Sequence, residues 1–268
     1  MTDHEYGYLT KAIQRSTGID IGSYRSKQMR RRLETFVEKS GALNVGVFCR
    51  NLDGDPAMVK KLRDFLTINV SEFFRDETHF SSLRNIILPQ LLEKSPRLSI
   101  WSAGCSNGAE IYSITMMLND ISPDAKHYLL GTDIDDAALS HAKAGGPYAP
   151  HETRNIAKWQ TQKYFTVSET QSWVVSDICR RVQFKKHNLM RDHFQTGFDF
   201  IACRNVIIYF TDETKSTLFR QFHNSLKEGG ILFVGGSEIL TGDLVMGFSS
   251  IVPFFYKKEV GATRLSKV

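Results

Sequence analysis

The sequence predicts an α/β protein, a mostly parallel sheet covered by helices and preceded by an all-α N-terminal region. Three observations lead to this. Residues 98 to 113, LSIWSAGCSNGAEIYS, run from an apolar segment through a turn of small residues into an amphipathic helix. A second apolar run, His127 to Thr132, follows that helix and ends in Asp133. A third, Phe198 to Cys203, is apolar enough to be buried on both faces, and Arg204 and Asn205 stand at its carboxyl end.

The chain before Leu98 reads as helical. Tyr8, Leu9 and Ile13, then Met29, Leu33, Phe36 and Val37, then Val59, Leu62, Phe65 and Leu66 recur at helical spacing. Ser23 or Ser26 is placed to cap the second helix, which carries Arg25, Lys27, Arg30, Arg31 and Arg32 with no acidic residue among them. These charges read either as a solvated helix face or as a docking surface for an acidic protein.

Residues 67 to 76, TINVSEFFRD, follow a loop at Asp53, Gly54 and Pro56. Asn69 and Ser71 suit a turn or a cap, Phe73 and Phe74 are adjacent, and Arg75 comes next. This is either a capping turn with buried phenylalanines or a wall over a ligand, with Arg75 available to a carboxylate. A helix from about 76 to 93 leads to the strand at Leu98.

In the 98 to 113 stretch, Gly104 and Gly108 permit a sharp turn and a close backbone approach. The pattern is not GxGxxG, so the loop alone is compatible with plain turn chemistry. Asp133 at the end of the next strand adds the acidic residue that takes ribose hydroxyls in nucleotide-binding βαβ units. Residues 135 to 143 form a helix broken by GGPY at 145 to 148. The short segments holding Trp159, Tyr164, Phe165, Trp173 and Ile178 suggest an inserted helix and β-hairpin, about 147 to 181. A strand at 182 to 187 leads to Asn188 and Leu189. A helix from about Asp212 to Leu226 ends at a Gly229-Gly230 cap before the strand ILFVGG, and Ile251 to Tyr256 gives the last strand. Three parts result: 1–75 helical, 76–260 α/β, and a tail at 261–268.

Composition narrows the classes. In 268 residues of which 41% are hydrophobic, no apolar run approaches the roughly 20 residues of a membrane span, and the first residues lack a signal-peptide core. A cytoplasmic protein without membrane insertion is expected. Cys49, Cys105, Cys179 and Cys203 are scattered without CxxC spacing, which indicates no metal site and no disulfide framework. A net charge of +5 does not argue for nucleic acid but is compatible with an acidic partner.

The ordered set TINVSEFFR, WSAGCSNGAEIYS, TDID, FKKHNL, FDFIACRNVIIYF and ILFVGGSE resembles the CheR-type chemoreceptor glutamate methyltransferases over nearly the whole chain. The resemblance implies a Rossmann-like S-adenosylmethionine-dependent methyltransferase domain with an inserted β-subdomain, behind the helical domain. It implies cofactor contacts at Asn69, Ser71, Arg75, Gly104, Glu110, Asp133, Asn188, Leu189, Arg204 and Asn205, with Arg75 and Tyr209 near the transferred methyl. It also implies O-methylation of receptor glutamates with S-adenosylhomocysteine as product, a monomeric enzyme, chemoreceptors as partners, and docking through Arg25, Arg30, Arg31 and Arg32. The family loop commonly reads GEEPYS where this chain has GAEIYS: Glu110 is kept, and a glutamate and a proline are replaced by Ala109 and Ile111. Losing such a proline removes about 0.4–1 kcal/mol of preorganisation, which predicts weaker cofactor binding and not its loss.

The implied chemistry suits these residues. A glutamate of pKa about 4.3 is already a carboxylate at neutral pH, so its methylation needs no general base. Proximity and alignment then supply the rate, and aromatic faces such as Phe74 or Tyr209 attract a sulfonium. A methyltransferase for another acceptor, or a cofactor-sensing module without transfer activity, are the other classes compatible with the sequence.

Overall fold

The computed structural model describes residues 1–67, 71–238, 240, 247–259 and 261. It divides into two compact units, Met1–Ile68 with Tyr209–Lys215, and Asn69–Ile208 with Ser216–Val268.

The first unit holds α1 (Asp3–Thr17), α2 (Ser26–Lys39), α3 (Val45–Gly54) and α4 (Pro56–Thr67). A capping box between Thr2 and Glu5 starts α1, and Gly18 in the left-handed region ends it. Of the periodic residues, Leu9, Ile13, Met29, Leu33, Val37, Leu62 and Leu66 are buried, Phe36, Val59 and Phe65 are half-buried and Tyr8 is exposed, while Phe48 and Leu52 of α3 join the buried set. Neither serine caps α2: Ser23 lies in a 3-10 turn, and the N-cap position is Arg25, which makes no side-chain cap bond. Tyr24 and Phe210 form an isolated β-bridge, and the Arg25 N–H donates to the Tyr209 carbonyl, which holds Tyr209–Lys215 in this unit.

The second unit begins before the expected boundary at 75. Phe73 and Phe74 belong to its core, which draws Ser71–Arg75 into it. Next come α5 (Glu77–Ser82), a π-helical turn (Leu83–Ile87) and α6 (Leu88–Lys94). The single helix expected here is interrupted just before Pro89, which has no N–H to donate back into the preceding turn. There follow β1 (Ser99–Ala103), α7 (Ala109–Ile121), β2 (Tyr128–Asp133) and α8 (Asp136–Ala144). The insertion carries α9 (Lys158–Tyr164), the antiparallel hairpin β3 (Phe165–Val167) and β4 (Ser172–Val174), and α10 (Ser176–Cys179). The remainder is β5 (Val182–Lys186), β6 (Phe198–Cys203), α11 (Asp212–Ser225, of which Asp212–Lys215 belongs to the first unit), β7 (Leu226–Val234), β8 (Phe248–Val252) and β9 (Phe255–Lys258).

Seven strands form one sheet in the order β5-β2-β1-β6-β7-β9-β8, parallel from β5 to β7 and antiparallel beyond. Trp101, 2% exposed, anchors β1 to β2 by donating from Nε1 to Thr132 Oγ1 at 2.8 Å. Two expectations fail near the C-terminus. Gly229 and Gly230 do not cap α11, because Leu226 already pairs with Phe198 in β7 and the glycines fall in its register shift. The single strand expected over 251–256 is the end of β8 and the start of β9, divided where Phe254 turns the chain at φ 72. Of the 261–268 tail, only Gly261 is among the described residues.

Candidate functional site

The carboxyl ends of β1, β2 and β6 come together where the strand order reverses, with β1 flanked by β2 on one side and β6 on the other. Open α/β sheets take their ligands at such a switch point. Gly104 leaves β1 at φ 79, and a Cβ there would lie 2.5 Å from Val206 Cγ2, so only glycine lets this turn lie against the one after β6.

Asp133, the last residue of β2, is 8% exposed. Its Oδ2 accepts the Ser106 N–H at 2.8 Å and its Oδ1 accepts the Asp135 N–H at 3.0 Å. Burial raises its carboxyl above the ordinary range, while the backbone donors pull it down. A carboxylate has about four acceptor sites, so each oxygen can still take a hydroxyl.

Glu110, in the first turn of α7, is held at both oxygens. Ser102 Oγ donates to Oε1 at 2.8 Å and Arg204 Nη1 to Oε2 at 3.3 Å. The Arg204 side chain is only 2% exposed and lies over the rings of Phe80 and Phe233. From Nη2 it also donates to Asp76 Oδ2 at 2.5 Å and to the Arg75 carbonyl at 3.2 Å. Arg204 therefore ties the 71–76 segment to α7, and its partners are protein groups.

That segment is fixed from several sides. The Phe74 N–H donates to Ser113 Oγ at 3.0 Å, and the Phe73 N–H to the Glu152 carbonyl at 2.9 Å. Glu152 also accepts from Asn107 Nδ2 at 2.6 Å and from the Ala149 N–H at 2.7 Å, while Asn155 Nδ2 donates to the Phe73 carbonyl at 3.3 Å. The insertion thereby joins the glycine turn to the 71–76 segment. Ser71 and Arg75 are half-buried. Asn69 lies outside the described residues. Among those described, the non-glycine residues at positive φ are Phe74, Asp76, Ser106, Asn205 and Phe254, and the first four sit in the three turns just built. Such conformations cost about 1–3 kcal/mol each and persist where surrounding bonds over-determine them.

Asn188 and Leu189 follow β5. The Asn188 side-chain oxygen accepts the Met190 N–H at 2.9 Å, and Leu189 is buried. Cys105 and Cys203 adjoin Gly104 and Arg204, but burial pushes both thiols well above their usual range, so they are protonated and poor nucleophiles. Among the described residues no group of His, Cys, Asp or Glu is arranged to hold a metal ion.

Residues 69–251 match the CheR methyltransferase SAM-binding domain, and residues 4–67 match the CheR methyltransferase all-alpha domain. The chain belongs to the CheR methyltransferase family. It is 35% identical to the chemotaxis protein methyltransferase of Listeria monocytogenes, over 96% of this chain and 98% of that one. It is 33% identical to the chemotaxis protein methyltransferase of Borreliella burgdorferi, over 97% of this chain and 95% of that one.

The cofactor of this CheR chain is S-adenosylmethionine, and the donor set fits it. Asp133 is a buried carboxyl group with acceptor capacity to spare at a strand end, the kind of group that ribose hydroxyls require, and Glu110 is a second carboxyl group at the start of α7. Ala109 and Ile111, where the chain departs from GEEPYS, are fully buried in the core, so their side chains serve packing.

Five candidates lie in the first unit. Tyr209 is there through its carbonyl, as described above. Of the docking arginines, Arg30 pairs with Asp3 at 2.6 Å, approaches Glu34 and Tyr6, and donates to the Met1 carbonyl. Arg32 donates to the Phe65 carbonyl at 2.5 Å and lies over its ring. Arg25 and Arg31 are exposed, as is Lys27, one helical turn before Arg31. Sequence reasoning missed Asp76 and Glu152, whose partners are distant in the chain. It also missed Glu238, whose one local signal is an acid just past the Gly235-Gly236 turn at the end of β7.

Proposed function

We propose that this methyltransferase esterifies glutamate side chains in the cytoplasmic helical regions of chemoreceptors, acting as a single cytoplasmic chain and leaving S-adenosylhomocysteine. The observation that carries this reading is coextension: the chain covers 98% of a relative named chemotaxis protein methyltransferase, and it assembles Asp133, Glu110 and Arg204 at the switch point of its sheet. Among the described residues no helix is long and apolar enough to cross a membrane.

Bound at this site, S-adenosylmethionine supplies an electrophilic methyl group on a positive sulfur. Asp133 would accept the ribose hydroxyls, Glu110 would take the cationic amine, and Asn188 and Leu189 would line the same site. Arg75 orients the incoming carboxylate with its fork of donors and cannot act as an acid, because a guanidinium stays protonated. The acceptor is negative and the donor positive, so charge is neutralised as the reaction proceeds and no base is required. Tyr209 enters on the family resemblance alone. Lys27 and Arg31 offer positive charge to an acidic helical bundle, which acts mainly on association rate.

Labelled methyl transfer to purified receptor cytoplasmic fragments tests this, with release of volatile methanol in alkali reporting an ester. Alkali-labile label that vanishes when the receptor glutamates become aspartates is the expected result. Alkali-stable label, or transfer only to another class of acceptor, would refute glutamate as the substrate.

A further inference from the structure

Past the end of β7, one buried carboxylate gathers four backbone donors. Glu238 Oε2 accepts the N–H groups of Asn205 and Gly235, each at 2.8 Å, and Oε1 accepts those of Ile207 at 2.7 Å and Ile208 at 3.1 Å. The residue is 6% exposed. No Cβ fits at Gly235: it would stand 2.7 Å from Glu238 Oε2 and 3.1 Å from the Asn205 nitrogen. β6 and β7 are parallel neighbours, with Cys203 opposite Val234, so the two turns that Glu238 joins leave the sheet side by side at its carboxyl edge.

Holding a carboxylate in such a place is costly unless charge-assisted bonds satisfy it. Here they do so by fixing the backbone of the turn that carries Arg204 and Asn205. Asn205 is in the left-handed region at φ 59, which an L side chain enters only with local support. An amide in place of the carboxylate would turn its NH2 toward two of the four N–H donors and satisfy only the other pair.

We propose that Glu238 is a positioning residue for methyl transfer: by anchoring the Asn205, Ile207 and Ile208 amides it sets the edge at Arg204 and Asn205 against which the cofactor binds. This rests on the proposed cofactor role of that edge and is independent of which acceptor is methylated.

The test uses the full chain with Glu238→Gln, Gly235→Ala and Asn205→Ala. Calorimetry with S-adenosylhomocysteine, steady-state kinetics in S-adenosylmethionine and thermal melting are read together. Losing two of four charge-assisted bonds should weaken S-adenosylhomocysteine by about tenfold or more and raise the KM for S-adenosylmethionine in proportion, with kcat at saturation nearly kept. Gly235→Ala presses on the same carboxylate from the other side and should shift affinity in the same direction, which keeps the test decisive if Glu238→Gln does not fold. A lower melting temperature with unchanged affinity would leave Glu238 a purely structural anchor and overturn the proposal. Weakened binding by Asn205→Ala alone would overturn the positioning role and keep the edge. Unchanged binding in all three would remove the edge as well.

Discussion

Arg204 donates to Asp76 at 2.5 Å and to Glu110 at 3.3 Å, so one buried guanidinium separates two carboxylates brought from different parts of the chain. Removing it leaves Glu110 and Asp76 facing each other, and Glu110 is 14% exposed at its side chain. Arg204→Ala should cost about 3 kcal/mol, at the low end for a broken buried pair because Asp76 is partly in water. Arg204→Lys, which keeps the charge and loses the fork, should fall between it and the parent. Denaturant unfolding measures both, and a loss near zero for Arg204→Ala would mean that the guanidinium holds nothing together.

Asp133→Ala should leave the protein folded while removing cofactor affinity. The Ser106 and Asp135 amides lose their acceptor, a cost of about 1–3 kcal/mol. Calorimetry with S-adenosylhomocysteine should show affinity lower by about tenfold or more, since bonds to a charged acceptor are lost. Affinity equal to the parent's would place the ribose elsewhere.

Lys27→Glu with Arg31→Glu should raise the KM for receptor, spare cofactor affinity and flatten the salt dependence of methylation, because exposed charges act over a Debye length of about 8 Å at physiological salt. Arg30→Glu should behave differently, since Arg30 already pairs with Asp3 and Glu34: it should lower the melting temperature first. Normal receptor methylation by the double variant at low salt would show that α2 is a solvated face and no more.

Stability should rise with pH across the histidine range. His223 is fully buried against Phe248, and burial, followed by the charge of Lys258, holds its pKa below 6.5. His79, His127 and His187 are lowered too, in each case first by burial. The unfolded chain therefore binds more protons than the folded one in this window. The stability these groups contribute is complete above the unfolded value and is lost as the pH falls through the depressed folded values. His223→Gln should flatten the dependence of the unfolding free energy between about pH 5.5 and 7.5. A slope identical to the parent's would assign it to other groups.

The α/β sheet, the helical region and the inserted hairpin were legible because each rests on periodicity and turn chemistry, which are local. Phe198–Cys203 is found as a strand at the bounds its apolar run predicts. What was hidden depends on partners far along the chain. That Arg204 bridges Asp76 and Glu110 is invisible at a strand end, because both acids come from elsewhere in the chain. Arg30 and Arg32 read as free charge until Asp3 and the Phe65 carbonyl are brought to them. Gly229 and Gly230 suit a helix cap as well as an irregular strand, and only the pairing of Leu226 with Phe198 decides between them. The break between β8 and β9 turns on a phenylalanine at positive φ, for which sequence offers no warning.

The bonds of Glu152 set the seam along which this enzyme can be cut and rejoined. Because its carbonyl and carboxylate hold Phe73 and Asn107, the stretch from Tyr148 to Asn155 is scaffold for the 71–76 segment and the glycine turn, although it lies within the insertion. A foreign hairpin grafted between Lys158 and Val174 keeps Glu152 and its bonds but must re-form the backbone pairing of Ser172 with Tyr148 and the packing of Phe165 on Phe73, whereas one whose junction falls before Glu152 must also bring an acceptor of its own.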